Sequence, residues 1–234
     1  GLVGLEMCIR DSIYTGGDDM LLFGSWDALL YLEGDILKKF REFTKNNSIT
    51  MSGGFALVHQ KYPAILGVLA CDDYLSKSKS FYRESKNKNI KDSTTIFGVP
   101  LTNECLLEER LQNLEDRVKK LLDLVVSKKE DGGEVSVDGR VFLYTLKKTL
   151  GDAIGDNEIN VPKIWRLYHS ANVKFKDNKE KLKKAIGIIN YVRKSLSNMF
   201  SSTMDIGNKK FSDLFSILVA IRIVELLTRR RSEK

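Results

Sequence analysis

Hydrophobic and polar positions along the 234 residues fall into three successive rhythms. Two short apolar runs, Ile13–Thr15 and Met20–Phe23, flank Gly16-Gly17-Asp18-Asp19, and apolar runs on either side of a Gly-rich tetrapeptide predict a β-hairpin. A helix capped by Ser25 follows to about Asn46, with Leu29, Leu32, Ile36, Phe40 and Phe43 recurring at threes and fours. Ile49–Val58 then alternates with the period of a strand, and its two central glycines predict a close approach by another backbone or a ligand. Pro63 suits the first turn of a second helix, about Pro63–Phe81, striped by Ile65, Leu66, Leu69, Ala70, Tyr74 and Leu75. Ser80–Asp92 is a polar, lysine-rich loop, and Thr94–Phe97 a short strand before Gly98.

Beyond Leu101 the period is helical. Thr102 or Asn103 caps a helix to about Val126, whose Leu107, Leu111, Leu114, Val118, Leu121 and Val125 form a heptad-like seam that needs a partner helix. After the linker Ser127–Glu134 come helical patterns at Gly139–Leu150, Pro162–Ala171, Asn178–Phe200 and Lys210–Arg231. The last is apolar nearly all round at Phe215–Leu227, which places it in the middle of a bundle. Trp165, Tyr168 and Tyr191 read as core aromatics, and Lys174–Lys184 and Arg229–Arg231 as solvated helix ends, with an RNA backbone as the functional alternative. The fold class is α+β: an incomplete ferredoxin-like palm, with an antiparallel sheet and helices on one face, then an all-α bundle. The boundaries are 13–101 for the palm, lacking its first strand and helix, 102–126 for a connecting helix and 127–234 for the helical domain.

Charge and cysteine content narrow the setting only a little. A net charge of +7 favours an anionic partner, although most of the Lys and Arg residues lie among acidic neighbours. Cys8, Cys71 and Cys105 are widely spaced and odd in number, so neither a disulfide framework nor a zinc site is indicated, and a reducing cytoplasm fits. Phe215–Leu227 is too short, and too charged at Arg222 and Glu225, to cross a membrane. Residues 1–12 show no clear period, and Glu6–Ser12 resembles translated adapter sequence, so this segment is left unassigned or non-native. His59 lies beside a polar loop and reads as a surface or hydrogen-bonded residue.

Candidate chemistry concentrates in the hairpin. Asp18 and Asp19 offer the hard oxygens that Mg²⁺ or Mn²⁺ prefers, and Gly16 and Gly17 let a bulky ligand approach the backbone. The plain alternative is a solvated turn, for which Gly and Asp are ordinary residues.

Several short motifs occur in one order: Tyr14-Thr15-Gly16-Gly17-Asp18-Asp19, Trp26-Asp27-Ala28-Leu29, Phe43-Thr44, Ser52-Gly53-Gly54, Lys61-Tyr62-Pro63 and Lys77-Ser78-Lys79. Over about Ile13–Leu101 the chain resembles the GGDD palm of the large signalling subunit of type III CRISPR interference complexes, Csm subtype. It is more distantly similar to the diguanylate cyclase palm, from which Asp19 and Met20 set it apart. The resemblance implies conversion of ATP, the substrate, into cyclic oligoadenylates when target RNA is bound. Asp18 and Asp19 would be catalytic and metal-binding, and Gly16, Gly17, Ser52, Lys77 and Lys79 nucleotide-binding, with Lys79 ahead of Lys77. It also implies partners: the other subunits of the complex, among them the small helical subunits, and through the complex the guide RNA and target RNA. Palms of this kind draw another metal-binding carboxylate from a strand ahead of the hairpin, so the present segment alone is expected to be inactive. A GTP-using cyclase palm and a non-catalytic nucleotide-binding or assembly module are the alternatives.

Overall fold

The structure is a computed structural model, and it describes residues 13–46, 48–59, 61–81, 91–103, 108–127, 136–137, 139–155, 159–201 and 209–229. The unassigned segment 1–12 and most of the predicted linker and lysine-rich loop lie outside the described residues. The N-terminal part is mixed: β1 (Ile13–Gly16), β2 (Asp19–Leu22), α1 (Trp26–Thr44), β3 (Gly53–Phe55), α2 (Ala64–Phe81), β4 (Ser93–Ile96) and β5 (Val99–Thr102). The remainder is helical apart from a minimal strand pair: α3 (Glu108–Val125), β6 (Val126–Ser127), β7 (Ser136–Val137), α4 (Arg140–Gly155), α5 (Val161–Lys174), α6 (Lys179–Ser201) and α7 (Lys209–Arg229).

The expected antiparallel sheet is in fact two sheets. β1 and β2 pair only with each other, whereas β3 runs parallel to β4 and β4 antiparallel to β5. A parallel pair needs a crossover, and α2 supplies it. The helices also occupy both faces of the three-stranded sheet, not one. Successive strand residues point to opposite sides: a Cβ on Gly53 would meet the Glu33 carboxylate of α1, whereas one on Gly54 would strike the backbone of α2, 2.6 Å from Leu75 N. The paired residues of β4 repeat the division. Thr94 hydrogen-bonds Glu33 on the α1 side, and Thr95 Oγ1 lies 2.7 Å from Ser78 Oγ on the α2 side.

Gly54 therefore has no side chain because helix backbone occupies that space, which answers the close approach expected of this strand. The same closeness turns the expected apolar stripe of α2 outward. Its buried residues are Gly67 and Ser78, while Ile65, Leu66 and Leu69 are exposed. A helix pressed onto a glycine strand admits small or hydrogen-bonding residues on its inner side. Phe43, assigned to the α1 stripe, is likewise 88% exposed.

Sequence pattern missed β5. Phe97 and Gly98 both take positive φ, 52° and 84°, which reverses the chain in two residues in the manner of a type I′ hairpin. Thr102 consequently ends a strand instead of capping a helix, and Asn103 becomes a buried hub.

The helical region follows its pattern closely. α3 lays Leu114, Leu121, Leu124 and Val125 into the core and packs on α7, the partner its seam required. α7 buries Leu214, Ile217, Val219, Ala220, Ile221 and Val224 and meets α3, α4, α6 and β5, so it does occupy the middle. Phe81 of α2 packs edge-on against Phe215 of α7, ring centroids 5.7 Å apart, joining the sheet region to the bundle. Trp165 and Tyr191 depart from their assignment: both stand on the surface, Trp165 at 68% exposure.

Candidate functional site

The ladder Ile13↔Leu22, Tyr14↔Leu21, Thr15↔Met20 and Gly16↔Asp19 leaves only Gly17 and Asp18 in the loop. The turn is thus tighter than the four-residue turn expected, with Gly16 and Asp19 closing the ladder. Gly17 has φ +66° and Asp18 does not share a positive φ, the pattern of a type II′ turn with glycine at its first central position. A Cβ on Gly17 would meet nothing within 4 Å, so its conformation, and not crowding, requires glycine. Asp18 sits on the tip and Asp19 opens β2, and both are exposed. The loop projects two consecutive carboxylates into open space.

The other predicted contacts are spread over the fold. Ser52 donates its hydroxyl to the carbonyl of Lys91 at 2.7 Å, which ties the entry of β3 to that of β4. Lys77 is exposed, pairs with Asp73 one turn earlier at 2.8 Å and lies 5.1 Å from the Tyr74 ring centroid. The link to Asp73 holds the Lys77 ammonium above its ordinary pKa. Lys79 is half-buried in the last turn of α2. The structure therefore gathers Gly16, Gly17, Asp18 and Asp19 in one turn and places Ser52, Lys77 and Lys79 on the separate sheet and its crossover helix. Among the described residues no group of three or more His, Cys, Asp or Glu side chains is arranged to hold a metal ion. The hairpin fits part of a divalent-cation site. Two carboxylates leave most positions of an octahedral ion to phosphate oxygens, water or further protein oxygens.

Sequence reasoning did not anticipate the polar interior of the three-stranded sheet. Ser93, Thr94, Thr95, Asn103 and Ser78 are fully buried. The Asn103 amide nitrogen donates to Met51 O at 2.6 Å and Asp92 Oδ1 at 2.8 Å, while its side-chain oxygen accepts from Thr94 Oγ1 at 2.9 Å. Arg41 of α1 pairs with the other oxygen of Asp92 at 2.7 Å. Ser78 Oγ bonds Gly53 O at 2.6 Å and Ser93 Oγ donates to Ser78 O at 2.7 Å. Glu33 faces this network. Burial outweighs its bond with Thr94 and raises its pKa to about 7, although part of the residue reaches the surface. Three consecutive polar residues on an otherwise ordinary strand, Ser93-Thr94-Thr95, were the one available signal.

α1 also contributes at its start. Asp27 lies in the first helical turn, where the dipole favours an anion, and its Oδ1 is buried without a hydrogen-bond partner among the described residues. One turn on, Tyr31 donates to Glu115 Oε1 of α3 at 2.8 Å, and burial followed by that bond pushes its phenol up to about 12.

Comparison with known proteins bears directly on this hairpin. Residues 7–95 match the family described as Cas10/Cmr2, second palm domain. Relatives that carry the description CRISPR system single-strand-specific deoxyribonuclease Cas10/Csm1 (subtype III-A) include the following three. The one from Methanocaldococcus jannaschii is 32% identical over 94 residues, covering 38% of this chain and 12% of its own. That from Streptococcus thermophilus is 23% identical over 172 residues, 73% of this chain and 20% of its own, and that from Mycobacterium tuberculosis 28% identical over 154 residues, 60% and 18%. The chain thus matches only 12% to 20% of the length of these curated relatives. The match over 73% of this chain reaches beyond the palm into the helical region. Residues 7–95 are thus similar to the Cas10/Cmr2 second palm domain, and the relatives that share this stretch are described as type III-A Cas10/Csm1 proteins.

Proposed function

We propose that this chain is part of a type III-A CRISPR large subunit and that its palm makes cyclic oligoadenylates from ATP. One observation carries the reading: the intact Gly16-Gly17-Asp18-Asp19 lies on a tight, solvent-open hairpin inside a segment matched by the second-palm family. In the reaction the 3′-hydroxyl of one ATP attacks the α-phosphate of another, forming a 3′–5′ phosphodiester as pyrophosphate leaves. Mg²⁺ or Mn²⁺, when bound, acidifies that hydroxyl and neutralises charge on the leaving group. The chain's own part is to hold those cations by Asp18 and Asp19, to bring the triphosphate against the backbone at Gly16 and Gly17, and to meet phosphate oxygens with Lys79. Lys77 is the weaker candidate because Asp73 already engages it. Ser52 is a further contact once released from Lys91 O.

The split sheet supports the incomplete ferredoxin-like palm. Among the described residues β2 and β3 each pair on one edge only. A strand between them would merge the hairpin with the three-stranded sheet, and a carboxylate on that strand would complete the ion's ligands. In this reading the chain works in the cytoplasm inside the effector complex, beside its small helical subunits and its guide and target RNA. No helix of the described residues is long and apolar enough to cross a membrane.

The test uses the full-length subunit assembled with guide and target RNA. Asp18→Ala combined with Asp19→Ala abolishes oligoadenylate formation, read by separating labelled ATP products, and leaves target-RNA binding unchanged. Undiminished product from the double variant rejects the assignment. Product formed from GTP in place of ATP would select the cyclase alternative.

A further inference from the structure

We propose that the surface shared by α5 and α6 binds single-stranded nucleic acid, with Trp165 as the platform on which a base stacks. This site is remote in sequence from the hairpin and does not depend on the chemistry at Asp18 and Asp19.

The geometry begins with helical spacing. On α5, Val161, Trp165, Tyr168 and Asn172 recur at fours and threes and so share one side of the helix. On α6, Lys183, Gly187, Asn190, Lys194 and Ser197 do the same, and all five are exposed. Tyr168 OH donates to Asn190 Oδ1 at 2.6 Å, which sets the two rows side by side. The Trp165 indole tilts against the Tyr168 ring, centroids 6.0 Å apart at 51°, and remains 68% exposed. The indole thus offers an open aromatic surface beside a hydrogen-bonded tyrosine. Lys183 and Lys194 lie eleven residues apart, about 16 Å along the helix at 1.5 Å per residue.

Charge selects the partner. α5 carries Lys163, Arg166, His169 and Lys174 and not one acidic residue. After Glu180, α6 carries Lys181, Lys183, Lys184, Arg193 and Lys194, again with no acidic residue. Lys163 and Lys184 are engaged by Asp152 and Glu180, but Arg166 of α5 and Lys183, Arg193 and Lys194 of α6 are exposed. A protein-docking patch places a broad apolar core inside a rim of mixed charge. Here a narrow aromatic strip lies on two helices whose cations outnumber the acidic groups Asp152 and Glu180 that pair with them, the combination that tracks a phosphate backbone while unpaired bases stack. A duplex conceals its base faces, so the preference is for a single strand.

The test is fluorescence anisotropy of the full chain with a fluorescein-labelled 20-nucleotide oligouridine RNA. Trp165→Ala weakens binding about tenfold or more, as loss of one stacked base does, whereas Trp165→Phe keeps most of the affinity. Lys183→Gln with Lys194→Gln flattens the slope of log affinity against log salt by about 1.4, two phosphate contacts on a single strand. A duplex of the same length binds more weakly and ignores the Trp165→Ala change. The proposal is overturned if the native chain does not bind the RNA, if Trp165→Ala binds as the native chain does, or if the duplex suffers equally from that change. A native chain that fails to bind would leave this surface to a protein partner. Trp165 is exposed, so circular dichroism and melting of its variants should match those of the native chain.

Discussion

The sheet region and the helical bundle of this chain share one apolar core but differ in how much polar bonding is buried beside it. Inside the bundle Phe142, Leu143, Leu146, Leu150, Leu167, Ile189 and Leu196 are almost wholly buried, and the stabilising term is apolar area removed from water. Between α1, α2 and β4 the interior adds to buried Leu30, Leu37 and Ile96 the polar residues Ser78, Ser93, Thr94, Thr95 and Asn103, each tied by hydrogen bonds of 2.6 to 2.9 Å. Apolar burial is tolerant of direction, whereas hydrogen bonds fix geometry and penalise every missing partner. The palm therefore has the more exacting core and the bundle the more forgiving one.

The contrast can be broken region by region because Trp26 lies in α1 and Trp165 in α5. Single-tryptophan forms, Trp165→Phe or Trp26→Phe, report each region separately during urea unfolding. Leu146→Ala should give the largest effect, about 2–5 kcal/mol, read chiefly by Trp165, since it opens a cavity in close-packed surroundings. A loss reported equally by Trp26 would mean that the two regions unfold as one.

Next comes the pH response of Glu33. Its folded pKa of about 7 exceeds its ordinary 4.5. The folded state thus binds the proton more tightly, so the stabilisation is complete below about pH 4.5 and is lost as the pH rises through 7. The whole change is on the order of 2–3 kcal/mol, lessened by the partial exposure of the residue. Glu33→Gln should flatten this profile at the Trp26 probe. A native profile that stays flat between pH 4.5 and 8 would remove Glu33 from the palm's interior.

Asn103→Ala should cost about 1–3 kcal/mol, because Thr94, Asp92 and the Met51 carbonyl lose their shared partner. An Asn103→Ala chain as stable as the native one would show that the polar core tolerates vacancy as the apolar core tolerates repacking. The smallest effect belongs to Asp18→Ala with Asp19→Ala, within about 0.5 kcal/mol for exposed turn residues. Unchanged melting alongside lost oligoadenylate synthesis separates a chemical role from a structural one.

How far the sequence could be read depended on the kind of core. Leu114, Leu121 and Val125 announced the α3 seam, and the apolar run of α7 announced a central helix, because burial there follows hydrophobic period. The pair Asp18 and Asp19 was equally plain, since a tight turn and its carboxylates are local in sequence. α2 misled for the opposite reason: Ile65, Leu66 and Leu69 look like an inner stripe, yet Gly67 and Ser78 face the sheet.

What the chain determined by itself was whatever rests on neighbours in sequence: hairpin, helices, bundle order and the acidic turn with its family resemblance. Only tertiary structure decided that the sheet is split and partly parallel, that Glu33 and Asn103 share a buried network, and that Trp165 faces outward. Each of these depends on which distant element comes near, and on the desolvation and hydrogen bonding that result, quantities that no periodicity along one strand or helix records.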